Sequence, residues 1–217
     1  MNVALVVFAK PPLRGRVKTR MHGALTPEAA ARMYEAGLRD IVARVRMLGI
    51  SVQIAYVDMP GGDGFFAAAF PDIPRFAQVG SDLGARMAAA IERLFRSGRD
   101  AVVIVGADVP TLPIAYLEEA LVAVRQTSLV FGPAEDGGYY LIGVQHDAWP
   151  SAEVVFEGIP WSTPEVLSHS LTRARNASIP YHLLPSWYDV DEPADLERAV
   201  LDVERGSHLD RWLRDRR

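Results

Sequence analysis

The apolar residues of this sequence fall into short continuous runs and longer periodic stretches. Two continuous runs, at residues 3–9 and 101–107, are rich in β-branched residues, which is typical of strands buried on both faces of a sheet. Both are far too short to span a bilayer. Shorter strands are predicted at residues 50–57, 75–79, 128–131, 139–144 and 181–184.

Helical patterns separate these strands. The sequence Thr-Pro-Glu occurs at residues 26–28 and again at 163–165, and its cap, proline and acid together indicate a helix start. Pro193 is predicted to begin a last long helix. Apolar residues recur every three or four positions in three stretches, residues 26–49, 82–95 and 113–125.

Strands that alternate with helices predict an α/β fold of three layers, α/β/α, with a mostly parallel sheet. No linker or repeat interrupts the pattern, so residues 1–217 are expected to form a single domain. The first strand begins at residue 3 without a basic leader, which argues against a signal peptide and for a cytoplasmic protein. The absence of cysteine excludes disulfides and thiolate metal sites. The net charge of -4 argues against general nucleic-acid binding.

The loop after the first strand, residues 10–20, holds five cations and no acid. The only two lysines of the chain, Lys10 and Lys18, both lie in it, which indicates a need for a compact ammonium rather than a guanidinium. With Gly15 allowing a close backbone approach, the loop suits phosphate oxygens. It is not a P-loop, because Val17 and not glycine precedes the lysine. The alternative is a solvated basic loop, disfavoured because crowded like charges repel.

Acidic residues follow two of the predicted strands. Asp108 ends a buried strand, where an unpaired carboxylate is costly, and Mg²⁺ or Mn²⁺ bridging to substrate phosphates would satisfy it. Asp189 and Asp191 lie two residues apart in extended chain, so both carboxylates face one side. Because strand ends converge in an open α/β sheet, all three are candidate metal ligands that repel one another when no cation is bound. The alternatives are a cap role for Asp108 and an N-cap role for Asp191 at the Pro193 helix.

Two glycine-containing segments are further candidates. Asp136-Gly137-Gly138 follows a strand and would let a ligand approach the backbone, but it also suits a tight hairpin turn. Asp82 and Arg86 lie at a helix start after Gly80, where anions bind, although Asp82 is also an ordinary cap. The five histidines have no zinc-site spacing.

These segments together resemble a bacterial family of glycosyltransferase-A-fold proteins that are described as nucleotide-diphospho-sugar transferases. The match covers nearly the whole chain in order, and phospholactate guanylyltransferase and the molybdenum-cofactor nucleotidyltransferases are similar more distantly. The resemblance is carried by residues 8–12, 15–20, 106–110, 132–143 (GPAEDGGYYLIG), 161–163 and 189–191.

The resemblance implies a nucleotide-diphospho-sugar transferase, Rossmann-like fold with Mg²⁺ or Mn²⁺ on Asp108, completed by Asp189 or Asp191. It also implies that Asp136, Gly137, Gly138 and Trp161 face the sugar or acceptor. The D-x-D pattern of glycosyltransferases is reduced here to Gly106-Ala107-Asp108. The phosphate-binding residues implied in the first loop are Lys10, Arg14, Lys18 and Arg20, with Thr19 in the same segment.

The sequence is compatible with three functions. The leading one is a metal-dependent glycosyltransferase in which Asp136 assists the acceptor hydroxyl while Lys18 and the metal stabilise the departing nucleoside diphosphate. The second is a nucleotidyltransferase that acts on a small phosphorylated acceptor and releases pyrophosphate. The third is a nucleotide-binding protein without catalysis. The expected partners are a nucleotide or nucleotide-sugar donor and a small-molecule acceptor, and a homodimer is compatible with the sequence.

Overall fold

The computed structural model describes residues 1–216 and contains one seven-stranded sheet. The strands are β1 (Val3–Ala9), β2 (Ser51–Tyr56), β3 (Arg75–Ala77), β4 (Ala101–Gly106), β5 (Leu129–Pro133), β6 (Tyr139–Gln145) and β7 (Tyr181–Leu183). The sheet order is β3-β2-β1-β4-β6-β5-β7. Strand β6 runs antiparallel to both of its neighbours, and the other neighbouring pairs are parallel. The mostly parallel sheet is therefore confirmed.

Helices cover both faces of the sheet, as predicted. The helices are α1 (Pro27–Arg46), α2 (Gly62–Ala69), α3 (Leu83–Arg96), α4 (Ile114–Ala123), α5 (Val166–Asn176), α6 (Pro193–Asp202) and α7 (His208–Asp215). In β1, Leu5 and Val7 pack into one core cluster with α1, α2 and α4, while Ala4 and Val6 pack into another with α3 and α5. Successive side chains of a strand point to opposite faces, so β1 and β4 read as continuous apolar runs. None of the helices within residues 1–216 combines the length and the apolar character that crossing a membrane requires.

Three helices differ from the sequence-based expectation. Helix α2 was not predicted, because glycines 62 and 64 disguise a helix whose Phe66 ring stacks on Tyr56 at 5.3 Å. Helix α5 begins at Val166, directly after the Thr-Pro-Glu signal at residues 163–165, rather than at its proline. The last long helix is two shorter ones, α6 and α7, separated by a turn in which Gly206 has a φ of +79°.

Helices α6 and α7 pack on α1 and form a third apolar cluster beside the sheet. Asp40 of α1 is buried and accepts hydrogen bonds from the backbone amides of His208 and Leu209, each at 2.8 Å. Its carboxylate thus satisfies two of the first amides of α7, which have no partner within their own helix. Asp40 therefore holds the C-terminal helix on α1.

An Asp40→Ala substitution should lower the free energy of unfolding by about 2–3 kcal/mol, because two hydrogen bonds from backbone amides to a charged acceptor are lost. Asp40→Asn keeps one acceptor oxygen in the same place and should cost less. Urea unfolding of both variants measures the difference. Equal stability of Asp40→Ala and the parent would contradict this role of Asp40.

Candidate functional site

A cleft of about 290 Å³ lies where the order of the strands reverses. From β1 the chain passes to β2 and then β3 on one side, whereas β4 lies on the other side of β1. The loops that leave β1 and β4 therefore diverge and leave a crevice at the carboxyl edge, where open α/β sheets bind ligands. The residues that line the cleft are Lys10, Arg16, Val17, Lys18, Thr19, Arg20, Tyr34, Asp108, Ser162 and Asp191.

The segment after β7 crosses this edge of the sheet and carries the C-terminal acids to Asp108. The amide of Trp187 donates to the carbonyl of Pro133 at 3.0 Å, and the amide of Val190 donates to the carbonyl of Asp108 at 2.9 Å. Val190 is buried in the third cluster, so Asp189 and Asp191 turn away from that core. The convergence of Asp108 with Asp191, expected from the sequence, is present in the structure.

The ammonium of Lys18 lies between the two carboxylates. Its Nζ is 2.6 Å from Oδ1 of Asp191 and also contacts Oδ1 of Asp108. The Lys18 side chain is only 4% exposed, and its Nζ lies 5.6 Å from the centre of the Tyr34 ring. Tyr34 also accepts a hydrogen bond from the amide of Lys10 at 2.9 Å. A buried lysine thus ties the first loop to both acidic segments.

The charges of this cluster depend on one another. Burial acts to lower the pKa of Lys18, but attraction to Asp108 and Asp191 outweighs it and raises that pKa. For Asp108, which is about half exposed, partial removal from water acts to raise the pKa, and attraction to the nearby Lys18 ammonium brings it below its usual range. Burial, followed by repulsion from Asp108, Asp136 and Asp191, raises the pKa of Asp189 to about 8. At neutral pH Lys18 and Asp108 are charged, whereas Asp189 is largely protonated.

Neither capping alternative explains these acids. Glu192, not Asp191, is the N-cap residue of α6, and the Asp195 carboxylate accepts from the amide of Glu192 at 2.8 Å. Among the hydrogen bonds of residues 1–216, the Asp108 carboxylate receives one from Lys18 and none from a backbone amide. The carboxylates of Asp108 and Asp191 therefore face the cleft and do not cap a helix.

The basic loop directs most of its cations into the cleft. Lys10, Arg16 and Arg20 line it, and Arg20 is 3.8 Å from Glu192. The salt bridges of residues 1–216 do not include Lys10 or Arg16. Arg14, which was a candidate phosphate ligand, instead forms a 2.6 Å salt bridge with Glu28 and is 73% exposed. Arg16, which was not a candidate, thus lines the cleft and Arg14 does not, and phosphate binding by the cations of this loop stays a prediction.

Two backbone features shape the loop. Gly15 has a φ of +71° and lies in a turn that is closed by a 3.0 Å bond from the amide of Arg16 to the carbonyl of Leu13. This conformation favours glycine. Thr19 begins a short 3₁₀ turn and lines the cleft, as the candidate role for it requires.

The oxygen atoms of the acidic side chains in the cleft show whether the predicted divalent metal could bind there. Within residues 1–216 no group of three or more histidine, aspartate or glutamate side chains is arranged to hold a metal ion. Asp108 and Asp191 do turn one oxygen each to a common point. Mg²⁺ is commonly bound by one or two carboxylates together with substrate phosphates and waters. The residues therefore fit a hard divalent ion shared with a phosphate substrate, and the metal stays a prediction.

Comparison with known proteins places the chain in a family. The profile of a bacterial family, described as "Uncharacterized protein conserved in bacteria (DUF2064)", matches residues 41–163, more than half of the chain. The chain belongs to this family. A solved structure from Desulfovibrio desulfuricans G20, provisionally named a nucleotide-diphospho-sugar transferase, is 32% identical, with a TM-score of 0.90 over 99% of this chain and 94% of that one. No functionally curated protein matches the sequence.

More distant structures share the fold. A cytidylyltransferase from Leptospira borgpetersenii serovar Hardjo-bovis is 12% identical, with a TM-score of 0.61 over 97% of this chain and 92% of that one. Rv0371c from Mycobacterium tuberculosis H37Rv, solved with manganese, is 16% identical, with a TM-score of 0.57 over 94% of this chain and 100% of that one. The nucleotide-diphospho-sugar transferase fold that the DUF2064 chain was expected to have is confirmed.

The Asp136-Gly137-Gly138 segment forms the turn between antiparallel β5 and β6. The amide of Ala134 donates to the carbonyl of Gly138 at 3.0 Å, and Oδ1 of Asp136 accepts from the amide of Gly138 at 2.9 Å. Gly137 packs directly against the backbone of Pro164. The hairpin-turn alternative is therefore present. Gly137 and Gly138 do not line the cleft described above, and their contact with sugar or acceptor stays a prediction.

Three other candidates lie outside the cleft lining. Trp161 is partly buried and packs against α3 at Gly84 and against the edge of the Tyr139 ring. Asp82 is the N-cap of α3 and accepts from the amide of Ala85 at 2.9 Å. Arg86 donates to the carbonyl of Gly80 at 3.3 Å. Each has a structural role that the sequence left open, and ligand contact by any of them stays a prediction.

Three residues that line the cleft were not predicted from the sequence: Tyr34, Arg16 and Ser162. Tyr34 occupies an apolar position of α1, which gave no sign that its ring and hydroxyl support the lysines. Arg16 is one of the five cations of the basic loop, so its charge was a signal that could have identified it. Ser162 lines the cleft with a φ of +67°, a left-handed conformation uncommon outside glycine. No pattern in the sequence announces that conformation.

Proposed function

We propose that this protein is a transferase that uses a nucleotide-activated donor, and specifically a nucleotide-diphospho-sugar transferase. The observation that carries the proposal is the cleft at the strand-order reversal, where the cations of the first loop face Asp108 and Asp191. The 32% identity to the Desulfovibrio protein over nearly the whole chain supports the same reaction class.

The basic side chains would bind the donor diphosphate. Lys10 and Arg16 line the cleft and are open to an anion. Charge-assisted contacts to phosphate are among the stronger hydrogen bonds in proteins. The same contacts strengthen as negative charge develops on a departing nucleoside diphosphate, which is how such groups lower a barrier.

Asp108 and Asp191 would hold Mg²⁺ or Mn²⁺ together with the donor phosphates, in accord with the oxygen-rich donor set. When bound, the ion would neutralise charge on the departing group. The manganese in the structure of Rv0371c, a protein that shares the fold, supports a divalent ion. Asp136 remains the proposed base for the acceptor hydroxyl, with Oδ1 engaged in its own turn.

A second candidate is nucleotidyl transfer to a small phosphorylated acceptor. It is favoured by the crowding of cations beside Asp108, which suits a departing pyrophosphate, and by the fold shared with a cytidylyltransferase.

The two reactions differ in their products. Incubation with panels of nucleotide sugars and nucleoside triphosphates, with Mn²⁺ and candidate acceptors, separates them. Release of nucleoside diphosphate supports the first, release of pyrophosphate supports the second, and binding without turnover of any donor supports a non-catalytic nucleotide-binding protein.

An Arg16→Ala variant should bind the nucleotide donor about 10–150-fold more weakly, because one charge-assisted phosphate contact contributes about 1.5–3 kcal/mol. Arg14→Ala is the matched control, since Arg14 lies in the same loop but pairs with Glu28. Calorimetric titration of both variants gives the comparison. Equal losses in the two would point to a general effect of loop charge rather than a contact from Arg16.

A further inference from the structure

The Lys18 ammonium lies at the point where a divalent ion would bind. Oδ1 of Asp108 and Oδ1 of Asp191 both contact the same Nζ. A divalent ion bound by those two oxygens would lie within a few ångströms of Nζ, where two cations repel strongly in a partly desolvated site. One pair of oxygens therefore serves one cation at a time.

The two cations would reach these oxygens from opposite sides. Lys18 is 4% exposed, whereas the side chains of Asp108 and Asp191 are 48% and 39% exposed toward the cleft. An ion entering with a nucleotide therefore meets the open sides of the carboxylates. The charge balance favours exchange as well, because one ammonium neutralises one of two carboxylates, whereas a divalent ion neutralises both.

The backbone of Lys18 supplies an independent observation. Its φ of 49° and ψ of 42° place it in the left-handed region, which is unfavourable for a lysine. No side-chain hydrogen bond stabilises this conformation as a helix cap. The two ion pairs of its side chain and the 3.0 Å hydrogen bond from the amide of Met21 to its carbonyl act against this strain, so loss of the ion pairs would favour relaxation of the segment before Thr19.

We infer, on the basis of the proposed function, that Lys18 is the resident counter-ion of Asp108 and Asp191, and that an incoming divalent cation displaces it. The released ammonium then lies among Lys10, Arg16 and Thr19, the residues that line the cleft, where it binds donor phosphate. Lys18 is thereby a positioning residue in the empty site and a phosphate ligand in the loaded one. This accounts for lysine at a position where an arginine-rich chain retains a compact ammonium.

The presence of only two lysines makes the exchange measurable on the unaltered protein. Lys10 is exposed and Lys18 is buried, so acetic anhydride should modify Lys18 at least about tenfold more slowly than Lys10 in the absence of metal. Adding Mn²⁺ without nucleotide should accelerate modification of Lys18 and leave the rate for Lys10 nearly unchanged. Peptide mass spectrometry gives both rates from one sample, and sodium chloride at equal ionic strength controls for screening. Unchanged protection of Lys18 when Mn²⁺ occupies the site, as judged by electron paramagnetic resonance, would overturn the inference.

Direct Mn²⁺ titration gives a second test. Lys18→Met retains the apolar stem without the charge and should bind Mn²⁺ at least about tenfold more tightly than the parent, since the competing cation is gone. Arg14→Met is the control, because Arg14 lies in the same loop but pairs with Glu28 outside the cleft lining, and it should bind Mn²⁺ as the parent does. Asp191→Asn added to Lys18→Met should abolish the gain. Equal affinity of Lys18→Met and the parent would reject the competition. Should Lys18→Met fail to fold, the labelling result on the parent decides alone.

Failure of the transferase proposal gives a different result from failure of the exchange. Release of Lys18 by Mn²⁺ without turnover of any donor would reject the transferase and keep the exchange. Turnover with Lys18 protected at saturating Mn²⁺ would reject the exchange and keep the transferase.

Discussion

An Asp108→Asn variant should turn over its nucleotide donor at least about a hundredfold more slowly, because removing one preorganised charge-stabilising group typically costs 10²–10³-fold. Asparagine has the same shape but carries no charge to balance Lys18 or a divalent ion. Turnover measured at saturating Mn²⁺ and donor isolates this effect. Asp147→Asn is the control, because its side chain is fully exposed on the surface. A loss of less than tenfold would remove Asp108 from the proposed machinery.

The sequence and the structure lead to opposite expectations for the stability of the same Asp108→Asn variant. Three acids without a cation would repel one another, so the sequence predicts an unchanged or slightly more stable apo fold for Asp108→Asn. The structure reverses that expectation, because Lys18 lies between Asp108 and Asp191. We therefore expect a loss of about 1–2 kcal/mol, since one bond to a charged partner is weakened while Asp108 is 48% exposed and partly screened. Thermal unfolding without metal measures it.

The sheet was predictable to the extent that each strand carries its own signal. Strands β1 and β4 are continuous apolar runs, and Thr26 caps α1 as its sequence indicates, accepting from the amide of Ala29 at 3.2 Å. The direction of β6 was left open, because an apolar run from Tyr139 to Val144 reads the same in either orientation and the hairpin turn before it was indicated by the sequence only as an alternative. Its antiparallel pairing follows from the short turn that joins it to β5.

The sequence predicted most of the residues of the site but not the contacts between them. The basic loop and Asp108 each follow a strand, and strand ends meet at one edge of an open sheet. The partner of Lys18 depends on a segment more than 170 residues away, because Asp191 reaches it through the pairing of Trp187 with Pro133 and of Val190 with Asp108. Such a tertiary contact leaves no local pattern. Lys18 was therefore predicted to bind and stabilise the donor phosphates, and its ion pairs with the acids were not predicted.

The glycines of the Asp136-Gly137-Gly138 turn illustrate the same difficulty. The sequence allowed either close approach of a ligand or a tight turn. In the structure Gly137 has a φ of +90°, and a Cβ added there would lie 2.0 Å from the carbonyl oxygen of Pro164. The carbonyl of Gly137 also accepts from the amide of Leu167 at 3.0 Å. The neighbour that requires a glycine is thus the chain before α5.

Gly137→Ala should therefore lower the free energy of unfolding by about 3–5 kcal/mol, through a left-handed strain of about 1–2 kcal/mol and a steric clash of similar or larger size. Gly206→Ala is the matched control, because Gly206 has a φ of +79° with no atom within 4 Å of an added Cβ. Gly206→Ala should lose only the stability that corresponds to the strained backbone. The difference between the two variants in urea unfolding therefore measures the clash with Pro164. A glycine needed only for acceptor access predicts a different result, with Gly137→Ala as stable as Gly206→Ala and impaired only in turnover. Because the turn fixes Asp136 and precedes β6, a confirmed clash would mean that activity lost in Gly137→Ala reports on the fold of the site rather than on contact with an acceptor.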